Sequence, residues 1–119
     1  MKRFLLFTLA IFLLATPALA VEMTAENQAP VAEALELTTY RNTALAGLLI
    51  AVDPEGDLFE YQIVRSPKKG TLELDSASGV FTYTPLEGKR GRDVFTYVAI
   101  DAVGNISDET AVTIRIQRQ

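Results

Sequence analysis

The sequence predicts an all-β fold, a two-sheet antiparallel sandwich of about seven strands. Three observations predict it. Apolar residues mostly alternate with polar ones after Pro30, the period of a half-buried strand. Turns bearing Gly, Pro and Asp interrupt these runs at close spacing. Helical periodicity is absent from residue 31 onward.

The first twenty residues stand apart from that pattern. Lys2 and Arg3 precede the apolar run "FLLFTLAIFLL", which is too short to span a bilayer comfortably. "ATPALA" follows, with Ala18 and Ala20 small at the −3 and −1 positions of a cleavage site. Residues 1–20 read as a secretory signal peptide rather than an uncleaved membrane anchor, with the mature chain beginning near Val21. Residues 21–30 are a polar leader ending in Pro30, and residues 31–119 are the domain, of a size that suits one core.

Seven strands are expected. The first covers 33–39. The second, 43–52, blurs its alternation in "TALAGLLIAV", with Leu45 and Leu49 taken as inward. The third, 58–65, turns Phe59, Tyr61 and Ile63 to one face, and the fourth, 70–75, turns Leu72 and Leu74. Phe81 and Tyr83 mark the inner face of the fifth, 79–84. Phe95, Tyr97 and Ala99 mark the sixth, 93–101, and Val112, Ile114 and Ile116 the seventh, 109–117.

Composition narrows the chemistry. The chain carries 15 acidic and 11 basic residues, and loss of Lys2 and Arg3 with the leader moves the net charge from −4 to −6. That balance disfavours nucleic acid as a partner. Neither Cys nor His occurs, so no disulfide braces the fold, and triad nucleophiles, imidazole catalysis and zinc sites lose their usual residues. No Gly-rich phosphate loop is present. Two carboxylates such as Asp53 and Asp101 could in principle serve glycoside hydrolysis, but a domain this small leaves little room for a cleft. The chain reads as non-catalytic.

Strand parity places the turns. If successive strands reverse, the start of the first strand and the turns near 53–57, 76–79 and 102–108 share one end. The remaining turns share the other, roughly 26 Å away. Glu26, Asp53, Glu55, Asp57, Asp75, Asp101, Asp108 and Glu109 then fall toward the first end. Arg41, Arg65, Lys68, Lys69, Lys89, Arg90, Arg92, Arg115 and Arg118 fall toward the second, with Glu87 and Asp93 as exceptions. Ends farther apart than a Debye length of about 8 Å act as separate patches. Weak head-to-tail self-association, or docking of a basic surface on the acidic end, is the expectation that follows.

Four stretches carry a resemblance: "NQAPVA" (27–32), "DPEGD" (53–57), "GVFTYTP" (79–85) and "GRDVFTYVAIDAVGNIS" (91–107). In this order and spacing they resemble the bacterial cadherin-like and immunoglobulin-like domains of secreted and surface proteins, over residues 27–117. The resemblance implies an immunoglobulin-like sandwich serving as an exported interaction or adhesion module, with a protein or cell-surface partner. It also makes Tyr97 a tyrosine corner whose hydroxyl bonds back to the corner backbone, and puts Ala99 where immunoglobulin domains place a Cys. Tyr97 and Asp93 are read as structural.

The resemblance further implies calcium near "DPEGD". Parity brings Asn27, Asp53, Glu55, Asp57 and Asp101 to one end as its candidate ligands. Carboxylate and carbonyl oxygens are the ligands calcium takes, and a dication relieves the repulsion among crowded carboxylates. The spacing is not that of an EF-hand, and a site of this kind binds with a Kd of about 10⁻⁴–10⁻³ M. The alternative is a solvated turn, with Pro54 fixing φ and Gly56 permitting φ > 0. A second functional class, a carbohydrate-binding accessory domain, would lack Trp and rely on Tyr40 as its aromatic platform. After cleavage of the leader no membrane span is expected, and the product is periplasmic or extracellular.

Overall fold

The computed structural model describes residues 28–118, apart from the side chains of Leu58 and Phe59. The expected signal peptide, most of the leader, Asn27 and the inward Phe59 side chain therefore lie outside the described residues. Nine strands are present: β1 (Val31–Ala32), β2 (Leu35–Tyr40), β3 (Leu45–Leu48), β4 (Ala51–Val52), β5 (Leu58–Arg65), β6 (Gly70–Leu74), β7 (Val80–Pro85), β8 (Gly91–Asp101) and β9 (Thr110–Gln117). They form a four-stranded sheet, β2-β9-β8-β5, a three-stranded sheet, β3-β7-β6, and a two-stranded ribbon, β1-β4.

Nine replaces seven because a short strand, β1, precedes the first expected strand, and the second expected strand divides into β3 and β4. β1 pairs with β4 beside the three-stranded sheet, and the chain then crosses at Glu33–Ala34 so that β2 joins the other sheet. The break between β3 and β4 falls in the run whose alternation was blurred, yet Leu49 still donates its N–H to Gly79 O at 2.9 Å. One pairing also departs from the antiparallel expectation: β2 runs parallel to β9, with Leu35 opposite Val112 and Tyr40 opposite Gln117. Parity requires this. The first and last of an odd number of alternating strands point the same way, and here they are neighbours.

The alternating residues meet between the sheets. Leu49, Tyr61, Phe81, Tyr83, Phe95, Tyr97, Ala99, Val112, Ile114 and Ile116 form the buried core, with Leu45, Ile63, Leu72 and Leu74 packed against it. Phe81 of β7 meets Phe95 of β8 edge-to-face, ring centroids 5.4 Å apart at 76°, so an aromatic pair joins the two sheets. Gly47, cross-strand partner of Phe81, lets that ring lie over β3: a Cβ built there would stand 2.4 Å from Phe81 Cζ.

Tyr97 does not bond within its own corner. Its hydroxyl lies 2.6 Å from Glu33 O and 2.8 Å from Ile50 O, on the links between β1 and β2 and between β3 and β4. The corner is held instead by Asp93, which is buried. Its Oδ1 accepts from Lys68 N at 2.9 Å and Val94 N at 3.0 Å, and its Oδ2 from Lys69 N at 2.8 Å and Tyr83 Oη at 2.6 Å. Burial acts to raise the Asp93 pKa, and these four donors together outweigh it and hold the carboxyl below its ordinary value. Burial, and then the hydrogen bond to this carboxylate, push the Tyr83 hydroxyl far up.

Candidate functional site

The β4–β5 turn is built from its own carboxylate. Asp53 Oδ2 accepts from Glu55 N at 3.0 Å and Asp57 N at 2.9 Å, while Gly56 N donates to Asp53 O at 2.9 Å. Pro54 suits the start of such a turn, and Gly56, at φ 74°, takes the left-handed backbone that closes it. The β8–β9 turn repeats the device. Asp101 Oδ1 accepts from Val103 N at 3.0 Å and Asn105 N at 2.8 Å, and its Oδ2 accepts from Asn105 Nδ2 at 3.0 Å. Both turns thus spend one aspartate on backbone donors.

The two turns lie side by side. Leu58 is in register with Asp101, and Ala102 N donates to Asp57 O at 3.1 Å. One oxygen from each of Asp53, Glu55, Asp57 and Asp101 lies within 4.8 Å of every other. Four of the five expected ligands therefore converge. The fifth, Asn27, lies outside the described residues, but its neighbour Gln28 donates its N–H to Glu55 Oε2 at 3.2 Å. The start of the domain reaches this end, as parity expects.

The electrostatics are those of carboxylates without enough compensation. Asp53 and Asp101 are both more than nine-tenths buried. With both carboxyls ionised, Asp53 Oδ1 and Asp57 Oδ1 are buried with no hydrogen-bond partner. Asp57 is pushed up to about 6, first by sharing a proton with Asp53, then by desolvation and by the charges of Asp53, Asp101 and Glu55. Asp53 is held below its ordinary value by that same shared proton and by the N–H groups of Asp57, Glu55 and Gly56. The pair titrates as a unit. A donor set made only of oxygens, two of them buried and orphaned, fits a hard divalent cation such as calcium. It offers nothing to a metal that seeks nitrogen or sulfur.

The opposite end is basic, with one revision to the charge map. Arg65 and Glu109, expected at different ends, form an ion pair at 3.2 Å. Glu109 precedes Thr110, which is in register with Tyr97, and Arg65 is in register with Thr96. Both therefore sit at mid-height on the sheet. Sequence reasoning also left unmarked the pairing of Arg92 with Arg115, which follows only from register.

Comparison with known proteins agrees with this architecture. No curated protein sequence matches the chain. Among solved structures, the SrpA adhesin of Streptococcus sanguinis aligns with a TM-score of 0.59 and 17% identity, over 80% of this chain and 61% of that one. An endo-fucoidan hydrolase of glycoside hydrolase family 107 aligns with a TM-score of 0.62 and 22% identity, over 92% of this chain and 16% of that one. Fibronectin(III)-like modules of Clostridium thermocellum CbhA align at 0.50 and 12%, over 91% and 51%. Each likeness shows the fold alone, and the chain spans less than two thirds of each of these structures. The family comparison is more specific: the bacterial cadherin-like domain matches residues 27–118, so it takes in both carboxylate turns and the core strands between them. The chain belongs to the bacterial cadherin-like domain family.

Proposed function

We propose that the chain is an exported, non-catalytic interaction or adhesion module that binds calcium weakly at its acidic end. The leader pattern of residues 1–20 supports export to the periplasm or beyond. The observation that carries the calcium reading is the pair of buried, unpartnered oxygens, Asp53 Oδ1 and Asp57 Oδ1, inside a four-carboxylate cluster. An uncompensated buried carboxylate oxygen is costly. Asp53, Glu55, Asp57 and Asp101 would hold the ion, with Asn27 as a further oxygen donor. The ion would supply charge compensation, fixing the β4–β5 and β8–β9 turns against each other and presenting a defined end to a protein or cell-surface partner.

Titration calorimetry tests this. Heat of binding with a Kd of about 10⁻⁴–10⁻³ M, lost in Asp53→Asn and Asp57→Asn, is the expected result. Absence of heat and of any thermal shift at millimolar calcium leaves the cluster as a turn that keeps itself wet. Under the same reading, sedimentation at low and high salt reports head-to-tail contact between the acidic end of one copy and the basic end of the next. Such a contact builds open chains rather than closed dimers.

A further inference from the structure

The outward face of the four-stranded sheet bears an arrangement that folding alone does not explain. Phe95 and Ile114 point into the core, so Arg92 on β8 and Arg115 on β9 point out, and the two are direct cross-strand partners. Like charges opposed on neighbouring strands destabilise a sheet. Among the described residues neither arginine has an ion-pair partner. Thr38 of β2 extends the same row beyond Arg115, and Tyr40, exposed and opposite Gln117, stands at the next outward position of β2. On the other flank β5 ends at Arg65 while β8 runs on to Gly91, which opens a hollow of about 380 Å³. Arg65, Lys68, Lys69 and Arg92 line it. Asp93 at its base is buried and makes no ion pair with these side chains, its oxygens accepting instead from Lys68 N, Lys69 N, Val94 N and Tyr83 Oη.

We propose that this face binds an acidic polysaccharide, with Arg115 and Arg92 gripping its sulfate or carboxylate groups and the Lys68–Lys69 hollow receiving the next anionic substituent. The planar guanidinium fork matches both kinds of oxyanion. The hydroxyls of Thr38 and Thr113 and the exposed Tyr40 ring suit a sugar chain. An arginine cluster also suits an acidic peptide; the hydroxyls and the Tyr40 ring beside the row favour the glycan, and polyglutamate is the comparison that decides. The site shares no residue with the carboxylate cluster and stands whether or not calcium binds there.

Heparin, as the sulfated probe, and polygalacturonate, as the carboxylate probe, are titrated into the purified protein at low salt, with neutral dextran and polyglutamate alongside. Saturable binding of one or both acidic glycans, stronger than polyglutamate and absent with dextran, is expected, and which glycan wins assigns the anion. Arg92→Gln and Arg115→Gln each weaken binding by about tenfold, the loss of one charge-assisted contact, whereas Lys89→Gln, in the β7–β8 turn off this face, changes it less than twofold. Both arginine variants fold, and in the absence of ligand they melt no lower than the parent because a repulsion has been removed. No binding at low salt, equal binding of polyglutamate, or equal loss in Lys89→Gln each overturns the proposal.

Discussion

Replacing Asp93 by Asn isolates what one buried carboxylate does for the fold. The four donors that converge on it come from three separate parts of the chain: Lys68 N and Lys69 N from the β5–β6 connection, Tyr83 Oη from β7, and Val94 N from its own strand. Asparagine keeps one acceptor oxygen. In its better orientation that oxygen still serves Lys68 N and Val94 N, and its amide can donate to the Tyr83 hydroxyl. Lys69 N–H then faces another donor. One backbone donor left unsatisfied costs about 1–3 kcal/mol, and loss of charge assistance on the retained bonds adds about 1 kcal/mol. The sum, about 2–4 kcal/mol, is a large part of the 5–15 kcal/mol typical of a small domain.

In urea such a loss lowers the midpoint by about 1–2 M for an m-value in the usual range. Tyr83→Phe is the control. It removes one donor and leaves the carboxylate three others, so it costs about 1 kcal/mol. The pH dependence separates charge from shape. Because the folded pKa of Asp93 is depressed, its contribution is full above about pH 4 and disappears as pH falls through the folded value. Asp93→Asn removes that acid limb. Should Asp93→Asn cost no more than Tyr83→Phe, or leave the acid limb unchanged, the assignment of Asp93 as the tie between the β5–β6 connection and β8 is wrong.

Calcium at ten to a hundred times its Kd stabilises the fold by about 1.4–2.7 kcal/mol, a rise in Tm of about 5–20 °C for a domain of this size; a differential scan checks it, and Asp53→Asn removes it. Without calcium, Asp57 carries the opposite sign to Asp93: its folded pKa, about 6, lies above the ordinary 3.8, so the folded state holds the proton more tightly. Stability then falls as pH rises from about 4 through 6, a decline seen by urea melts in chelator and abolished by calcium or by Asp57→Asn. Gly47→Ala places a Cβ 2.4 Å from the fully buried Phe81 ring, so it destabilises by about 1–3 kcal/mol through overpacking; an unchanged thermal midpoint would show that Phe81 is free to move.

The core was legible because burial imposes a period. Phe81 and Tyr83, Phe95 and Tyr97, and Val112, Ile114 and Ile116 sit at every second position, and all are buried. Parity was legible for a related reason: each short turn reverses the chain, so the turn at Asp53 and the turn at Asp101 had to share an end. Register is not carried by either signal. The opposition of Arg92 to Arg115, and the mid-height meeting of Arg65 with Glu109, depend on how far one strand slides along another. Nothing in the local sequence states that offset. The Asp93 hub was half legible, since a carboxylate inside an apolar strand asks for partners, but Lys68 N and Lys69 N offer backbone donors that no side-chain pattern reveals. The change of sheets between β1 and β2 was hidden because β1, only two residues long and ahead of the expected first strand at 33–39, is too short to show any alternation.

β8 carries both chemistries and keeps them apart. Arg92 stands near one end of this strand and Asp101 closes the other. The nine residue steps between them span roughly 30 Å, more than three Debye lengths at about 8 Å each. Charge at one end is therefore screened from charge at the other, and binding at either alters the other only by moving atoms. The strand offers little scope for that. Its inward residues from Asp93 to Asp101 are all buried, and it is hydrogen-bonded to β9 along one half and β5 along the other. A rigid strand between two screened ends makes them separate sites on one module. A cation held by Asp53, Asp57 and Asp101 and a polyanion held by Arg92 and Arg115 can then be bound at once, letting such a domain bridge two different surfaces instead of switching between them.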